Sequence, residues 1–416
     1  MKLHDYEIMS PVGSYEALAA AIQGGADSVY FGVEGLNMRS RSSNNFSLDD
    51  LKKIAATCHK NRIKSYLTVN TIIYDEDIPY MRSIIDAAKA AGISAIIAAD
   101  VAAMGYAREI GMEVHLSTQL NISNVEALRF YARFADVVVL ARELNLEQVK
   151  KIHDAIETEN ICGPGGKKIR IELFCHGALC MAVSGKCYLS LHELEQSANR
   201  GACYQVCRRG YIVKDRESNI ELEVNNQYIM SPKDLKTIHF LNKMLDAGVT
   251  VFKIEGRARS AEYVRTVTEC YKEAIAAWQD GAFTPDRIER WNKRLSEVFN
   301  RGFWDGYYLG QRLGEWSSNY GSSATKQKIY IAKALKYFSK LGVAEFLMEA
   351  QNLHEGDETL ITGPTTGALS LVAENMRVDL QSVTKTIRGD RFSMKVPEKV
   401  RLNDKLYKVV TKGDNV

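Results

Sequence analysis

A chain of 416 residues is too long for one ordinary single-core domain, so it predicts two or three units or one large barrel with an appendage. Hydrophobic residues make up 46% and charged residues 25%, which excludes a disordered or membrane chain and is typical of a globular enzyme. The 54 Lys and Arg nearly balance the 51 Asp and Glu, so RNA binding would have to depend on a local basic patch.

The first thirteen residues, MKLHDYEIMSPVG, lack the apolar segment of a signal peptide. No stretch of the chain approaches the roughly eighteen apolar residues that a membrane span needs. We therefore expect a cytoplasmic protein, with neither a membrane nor DNA as a partner. Thiols stay reduced in the cytoplasm, so clustered cysteines there are more often a metal site than a disulfide framework.

Short β-branched runs alternate with amphipathic helices from residue 6 to about residue 280. The predicted strands are Tyr6–Ser10, Ser28–Gly32, Lys64–Val69, Ala95–Ala98, Glu113–Ser117, Asp136–Leu140, Ile169–Phe174 and Thr250–Ile254. The predicted helices include Tyr15–Gly24, Leu48–Asn61, Pro79–Ala91, Asn124–Phe134 and Leu146–Glu157. Apolar strands of this kind are buried on both faces, so the pattern predicts an α/β fold of the (β/α)8 TIM-barrel type rather than a doubly wound sheet.

Signals for helix starts support these boundaries: Ser14, Ser47 and Asn124 are N-cap types, and Pro79 suits a first helical position. Residues 175–230 form an insertion between the seventh and eighth strands, with a hairpin-like segment in its second half. Ser231–Asp234 is expected to begin the next helix. The helices Ser260–Gln279 and Pro285–Phe299 follow the eighth strand.

Short alternating strands then indicate a small C-terminal β domain of the barrel type. The predicted organisation is a barrel at 1–310 that carries the insertion, a connector at 311–327 and the β domain at 328–416.

Polar side chains follow most of the predicted strands and should meet at the C-terminal mouth of the barrel. An anionic ligand with carboxylates or phosphates would suit this set, although an ion pair that braces the barrel is an equally good reading of any single arginine. The candidate substrate-binding residues are Arg39, Arg41, Asn70, Gln119, Arg142 and Arg257. His176 and Glu255 are the candidates for acid–base chemistry.

Four cysteines lie within 28 residues, with six, fifteen and three residues between them: Cys180, Cys187, Cys203 and Cys207. This spacing differs from the paired two-residue knuckles of many zinc sites, so an iron–sulfur cluster, zinc and unrelated structural thiols all stay open. Hydrolase signatures are missing: the segment from His192 ends in Gln196 where a zinc-protease helix needs a second His.

The runs HGALCMAVSGKCYLS (176–190) and SANRGACYQVCRRGY (197–211) resemble the signature of the collagenase-like peptidases of unknown catalytic type, family 32. FKIEGRARSAEYVRTV (252–267) also matches, and the resemblance spans residue 6 to about residue 310, with a similar extra β domain. The resemblance implies that Cys180, Cys187, Cys203 and Cys207 hold a [4Fe–4S] cluster.

The resemblance also implies an activity. Similar family members hydroxylate RNA, including formation of 5-hydroxyuridine at the tRNA wobble position with prephenate as co-substrate, and others serve rRNA cytidine hydroxylation or ubiquinone synthesis. We therefore expect tRNA and prephenate as partners, with a homologous partner subunit as a further option. Four basic residues of the insertion are predicted to contact RNA phosphates: Lys186, Arg200, Arg208 and Arg209. The alternatives are a collagenase-like peptidase and a non-catalytic iron–sulfur subunit of an RNA-modification complex.

Overall fold

A computed structural model describes residues 6–41, 44–214, 217–218, 221–224, 230–317 and 321–413. The first eleven strands are β1 (Glu7–Pro11), β2 (Ser28–Phe31), β3 (Lys64–Val69), β4 (Ala95–Ala98), β5 (Glu113–Leu116), β6 (Val137–Val139), β7 (Arg170–Ala178), β8 (Tyr211–Lys214), β9 (Glu221–Val224), β10 (Asp234–Lys236) and β11 (Val249–Ile254). Strands β1 to β7 pair in parallel in chain order, and β11 pairs in parallel with both β7 and β1. These eight strands close a barrel, which confirms the predicted fold.

Helices surround the barrel, and most of them connect its strands. They are α1 (Tyr15–Gln23), α2 (Asp50–Lys60), α3 (Ile78–Ala91), α4 (Val101–Glu109), α5 (Val125–Ala132), α6 (Leu146–Glu159), α7 (Leu189–Leu194), α8 (Leu241–Asp246), α9 (Ala261–Gln279) and α10 (Pro285–Glu297). Among the described residues, no helix is both long enough and apolar enough to cross a bilayer.

The helix starts agree with the sequence signals in three of four cases. The Ser14 hydroxyl accepts from the Ala17 amide at 3.2 Å, the Asn124 side chain accepts from the Ala127 amide at 2.8 Å, and Pro79 lies in the first turn of α3. The prediction for Ser47 is wrong, because α2 begins only at Asp50. The Ser47 hydroxyl instead donates to the Asp50 carboxylate at 2.8 Å, which fixes the approach to the helix.

Two apolar layers hold the barrel together. Alternate residues of the strands point outward and pack beneath the helices, with Ile8, Phe31 and Leu67 fully buried there. The other residues point inward and form a small cluster of Met9, Tyr30, Tyr66, Ala95, Ile97, Val137 and Val251. The interior of the barrel is therefore filled with side chains rather than an open channel.

The insertion leaves and rejoins the barrel at one place. Strand β7 runs past the barrel rim to Ala178, and β10 pairs with it antiparallel, with Ala178 opposite Asp234. The short strand β12 (Phe303–Trp304) then pairs with β10. The prediction that Ser231–Asp234 begins a helix is wrong, because the backbone at Asp234 is already engaged in these two ladders and α8 starts only at Leu241.

The hairpin in the second half of the insertion is present. Strands β8 and β9 pair antiparallel, with Tyr211 opposite Val224. Residues 215–216, 219–220 and 225–229 of the predicted hairpin segment lie outside the described residues.

The C-terminal region is antiparallel. Its strands are β13 (Lys326–Phe338), β14 (Val343–Met348), β15 (Leu353–His354), β16 (Glu358–Gly363), β17 (Gly367–Val372), β18 (Arg377–Val378), β19 (Gln381–Ser382), β20 (Lys385–Thr386), β21 (Arg391–Lys395) and β22 (Lys405–Thr411). Eight of them form one sheet around a separate apolar core that includes Phe346 and Phe392. A C-terminal β region is therefore confirmed, and its exact limits stay a prediction.

Candidate functional site

A cavity of about 230 Å³ opens at the C-terminal mouth of the barrel. Its wall comes from the ends of the strands and from the insertion. Five of the six predicted substrate-binding residues line it: Arg39, Asn70, Gln119, Arg142 and Arg257. Glu255 lines it too, as do three of the four clustered cysteines, Cys180, Cys203 and Cys207. The structure therefore brings the two predicted sites together in one place.

The cavity is strongly cationic. Among the described residues that line it, seven are cations and one is a carboxylate: Arg39, Arg142, Arg208, Lys253, Arg257, Arg259 and Arg301 against Glu255. The sequence interpretation missed Lys253, Arg259 and Arg301. Arg259 lies two residues after Arg257 and could have been included, whereas Arg301 follows α10 and reaches the cavity only through tertiary packing. Such an excess of cations over carboxylates favours an anionic ligand.

Glu255 is the anionic centre of the wall. Its carboxylate lies 3.3 Å from the Arg39 guanidinium and 3.3 Å from the Tyr30 hydroxyl. Burial opposes ionisation, but Arg39, Arg142 and Arg257 hold the pKa of Glu255 below its usual value. Glu255 is therefore ionised at neutral pH, where it can orient the arginines and accept a proton.

The Arg257 side chain is held in place by hydrogen bonds to its neighbours. Its guanidinium donates to the Thr68 hydroxyl at 3.0 Å and to the Asn37 side chain at 2.5 Å. Burial lowers the pKa of Arg257 to about 10, which still leaves it charged at neutral pH. It contributes a fixed positive charge to the cavity.

Arg142 has an unused donor. Its guanidinium stacks on the Phe174 ring at 3.9 Å, and its buried Nε has no hydrogen-bond partner. A buried donor without a partner costs free energy unless a ligand or water satisfies it. Arg142 is thus the cavity cation best prepared to bind an anion.

Asn70 and Gln119 are engaged with each other. The Asn70 amide donates to the Gln119 side chain at 3.0 Å, and the Gln119 amide donates back to the Asn70 carbonyl. The Asn70 side-chain oxygen also accepts a hydrogen bond from the Met38 backbone amide at 3.3 Å. This pair forms part of the cavity wall.

His176 and Arg41 do not reach the cavity. Among the described residues, His176 is buried between the rings of Tyr263, Tyr271 and Phe303, and it is absent from the cavity lining. Burial, then Lys236 and Arg259, lower the pKa of His176 to about 3, so the ring is neutral at physiological pH. Arg41 is exposed and likewise absent from the lining. Glu255 is therefore the better placed of the two acid–base candidates.

The four clustered cysteines are all free thiols. Burial raises the pKa of Cys207 to about 11, Arg208 opposes that rise, and the thiols of Cys180, Cys203 and Cys187 add to it. Burial likewise raises the pKa of Cys187. A set of four free cysteines is the donor type that an iron–sulfur cluster uses. Among the described residues, no three His, Cys, Asp or Glu side chains already form a group that could hold a metal ion, so the ligand set stays a prediction.

The predicted RNA-contacting residues differ in their availability. Lys186 and Arg209 are exposed, although Arg209 lies 3.3 Å from the Glu193 carboxylate. Arg200 pairs with Asp77 and stacks on the Tyr74 ring at 4.0 Å. Arg208 donates to the Ser231 hydroxyl and to the carbonyls of Leu179 and Pro232, so it ties the insertion to the barrel rim.

Comparisons with known proteins identify a family and several relatives. The model of the family described as peptidase family U32 matches residues 13–318. The chain is 68% identical to a protein of Porphyromonas gingivalis named "Collagenase", over 98% of this chain and 99% of that protein. It is 31% identical to "tRNA hydroxylation protein P1" of Bacillus subtilis, over 86% of this chain and 83% of that protein.

A third relative is a 23S rRNA 5-hydroxycytidine synthase of Escherichia coli, which is 35% identical over 75% of this chain and 46% of that protein. The names of these relatives record enzymes with two kinds of activity, on protein and on RNA. With the family model covering most of the barrel and the cysteine insertion, the chain belongs to peptidase family U32.

Proposed function

We propose that this protein hydroxylates a pyrimidine of RNA, with the wobble uridine of tRNA as the target and 5-hydroxyuridine as the product. The observation that carries the proposal is the single cavity in which seven cations meet three of the clustered cysteines. The relatives named for tRNA hydroxylation and for 5-hydroxycytidine synthesis support RNA as the substrate class.

The arginines would bind a small dicarboxylate, with prephenate as the proposed co-substrate. Arg142 offers the unpartnered buried Nε, and Arg39 can turn its guanidinium from Glu255 towards a ligand. Arginine forks bind carboxylates through paired hydrogen bonds, which fixes orientation as well as affinity. Glu255, ionised beside them, is placed to accept a proton from the bound ligand.

Cys180, Cys187, Cys203 and Cys207 would hold a [4Fe–4S] cluster, which would supply redox or Lewis-acid chemistry at the wall of the cavity. The two available cations of the insertion, Lys186 and Arg209, would contact RNA phosphates beside the cavity. A uridine must leave its stack to enter such a cavity, as bases do in other enzymes that modify them.

Nucleoside mass spectrometry of tRNA from a strain that lacks the protein tests the proposal. We expect 5-hydroxyuridine to disappear and to return with the wild-type protein and with the exposed-site variant Arg388→Ala, but not with Arg142→Ala. Unchanged 5-hydroxyuridine in the deletion strain would overturn the proposal. If Arg142→Ala restores 5-hydroxyuridine, the reaction does not use this cavity, and a non-catalytic subunit becomes the favoured function.

A peptidase is the second candidate, because the relative at 68% identity is named "Collagenase". Gelatin cleavage by the purified protein separates the two functions. Cleavage that survives Arg142→Ala, Cys203→Ser and removal of metal would favour a peptidase that uses another site. Loss of 5-hydroxyuridine without gelatin cleavage would favour the RNA enzyme.

A further inference from the structure

Four titratable side chains form a row through the interior of the barrel, with one gap of 3.8 Å at its middle. The Glu113 carboxylate lies 3.2 Å from His115 Nε2, and His115 Nδ1 lies 3.8 Å from Glu172 Oε2. The other Glu172 oxygen accepts from Lys253 Nζ at 2.7 Å. Lys253 lines the cavity, so the row ends at the functional site.

The row follows the axis of the barrel. Glu113 is the first residue of β5, and its side chain is 45% exposed at the N-terminal face. His115 and Glu172 are the third residues of β5 and β7, and both are fully buried. Lys253 is the fifth of six residues in β11 and therefore lies near the C-terminal end. Since all three strands run in parallel, these positions place one end in solvent and the other in the cavity.

Two atoms in the middle of the row are buried and have no hydrogen-bond partner: His115 Nδ1 and Glu172 Oε2. They face each other across the 3.8 Å gap. A buried polar atom without a partner is rare in native proteins and calls for an explanation. A small rotation of either side chain closes this gap, and a proton on either atom then makes the missing hydrogen bond.

The surrounding charges favour a proton in this gap. Burial alone would lower the pKa of His115, but the carboxylates of Glu113, Glu172 and Glu7 raise it above its usual value. Burial alone would raise the pKa of Glu172, but Lys253 and His115 lower it. The other charged or titratable groups that face the row are Lys64, Tyr66, Arg170, Glu255 and Tyr30.

A set of ion pairs that merely braces the barrel is the alternative. Bracing explains the Glu7 cluster, whose carboxylate is satisfied by Arg170 at 2.8 Å and by the Tyr66 hydroxyl at 2.7 Å. It leaves one feature of the row unexplained: His115 Nδ1 and Glu172 Oε2 attract each other across 3.8 Å, yet neither atom makes a hydrogen bond. This gap between His115 and Glu172, which a proton transfer would close, is what distinguishes a proton relay from a static network of ion pairs.

We propose that Glu113, His115, Glu172 and Lys253 form a proton relay that connects solvent at the N-terminal face with the cavity. Lys253 is the catalytic donor, and the other three are positioning and relay residues. One transfer breaks a Lys253 N–H bond and gives the proton to a basic atom of the ligand, and Lys253 is reprotonated from Glu172. Glu172 takes its proton from His115 Nδ1 and turns its carboxyl group to pass that proton to Lys253. The imidazole then rotates so that its deprotonated nitrogen faces Glu113 and regains a proton from Glu113, which is in turn reprotonated by solvent. One proton crosses the barrel, and no electrons move.

The relay rests on the cavity being a reaction site, whichever of the two proposed activities it serves. It can therefore fail while RNA hydroxylation stands, and it can stand if RNA hydroxylation fails. A readout on the protein itself is needed alongside activity.

The primary variant is Glu113→Gln. The new amide can still accept a hydrogen bond from His115 but cannot pass a proton, and the half-exposed site keeps the fold intact. The matched control is Glu109→Gln, an exposed position at the end of α4, four residues before Glu113. Solvent exchange of the Lys253 ammonium hydrogens, measured by nitrogen-15 NMR with Lys253→Arg for assignment, is the first readout. Single-turnover tRNA hydroxylation with and without added imidazole is the second.

We expect Glu113→Gln to slow both processes by about tenfold or more, with substrate affinity unchanged and with partial rescue of the reaction by imidazole. Glu109→Gln should match the wild type in both readouts. Exchange at the wild-type rate in Glu113→Gln overturns the relay even if hydroxylation is lost. Slowed exchange in a protein that does not hydroxylate RNA keeps the relay and rejects the RNA activity. Glu172→Gln provides a second break in the row, and its exchange should be as slow as in Glu113→Gln if it folds.

Discussion

Arg142 combines a stacked guanidinium with a buried nitrogen that has no protein partner. If prephenate is the co-substrate, as we propose, Arg142→Ala should weaken its binding by about ten- to a hundredfold, since hydrogen bonds to charged groups contribute about 1.5–3 kcal/mol. Isothermal titration calorimetry measures the affinity. Arg388→Ala, which removes an exposed arginine from the C-terminal region, should bind like the wild type, and equal affinities for all three proteins would exclude Arg142 from the binding site.

A substitution at Cys203 tests whether this residue is a cluster ligand or a structural thiol. We expect Cys203→Ser to lose most of the iron and sulfide of anaerobically purified protein, because a hydroxyl is a poor replacement for a thiolate at such a cluster. Iron and sulfide analysis measures the change. Cys162→Ser, at a partly buried cysteine before the insertion, should retain both, and full iron content in Cys203→Ser would contradict the ligand assignment.

Glu7 makes the stability of the barrel depend on pH. Burial opposes its ionisation, but Arg170, Lys64 and His115 hold the pKa of Glu7 at about 2, below its usual 4.5. Because the folded-state pKa is the lower one, ionised Glu7 stabilises the fold above pH 4.5, and this contribution is lost as the pH falls from 4.5 towards 2.

Urea unfolding at several pH values checks this linkage. We expect Glu7→Gln to lower the free energy of unfolding by about 3 kcal/mol at neutral pH, with the difference from the wild type shrinking towards pH 2. Glu398→Gln, at an exposed position, should unfold like the wild type throughout. A difference that stayed constant with pH would show that packing, not charge, is what Glu7 contributes.

At the scale of the element, strand β7 depends on a glycine where it passes from the barrel to the insertion. Gly177 has a φ of +103°, and a β-carbon there would lie 2.4 Å from the Glu255 carbonyl oxygen. The pairing with β11 shifts register next to it, between Lys253 and Ile254. Such irregularities often occur beside active sites, and Glu255, which follows the shifted position, lines the cavity.

We therefore expect Gly177→Ala to destabilise the protein by about 2–5 kcal/mol, from backbone strain and steric overlap together. Thermal melting measures the effect. Gly105→Ala is the matched control, because that glycine lies in α4 with open space around it and alanine favours a helix by about 0.5–1 kcal/mol. A melting temperature that rose in both variants would contradict the strained role of Gly177.

The sequence predicted the barrel elements well because the strands are mostly apolar and several helices carry a start signal. Strands β3 and β4 agree with the structure at both ends, and α1 and α6 begin where predicted. The error at Ser231–Asp234 has a physical cause: pairing with β7 and β12 overrides a local helix signal, and neither partner is adjacent in sequence. Pairing between strands that are distant in the sequence produces no local hydrophobic periodicity, so it could not be predicted from this segment.

The site was predictable where it follows the barrel geometry and not where it depends on packing. Residues directly after strands, such as Arg142 and Glu255, were placed correctly because all strand ends meet at one mouth. Lys253 was missed because it lies inside a strand, where an inward charge looks like an exception to the apolar run. His176 follows the same rule as Arg142 but turns into an aromatic pocket that the sequence does not show.

At the scale of the whole molecule, the C-terminal sheet packs on the barrel through α1, α9 and β17. The Gln23 amide donates to the Thr366 carbonyl at 2.9 Å, and its oxygen accepts from the Ala368 amide at 3.1 Å. We expect Gln23→Ala to increase amide hydrogen exchange in β16 and β17 while β3 and β4 stay protected, because two backbone groups lose their partner. Mass spectrometry of exchanged peptides measures this, with the exposed Gln381→Ala as the control. Uniform exchange across all strands would mean that the two regions unfold as one.

The pairing of Ala178 with Asp234 means that residues 179–233 leave the barrel and return to it at neighbouring points. A segment whose two ends already pair with each other adds little geometric constraint to the barrel. Its length and sequence can therefore change between relatives while the barrel and its arginines stay fixed. Exchanging the cysteine segment between family members, together with the barrel residues that it contacts, such as Asp77, offers a direct way to learn which part of the protein chooses the substrate.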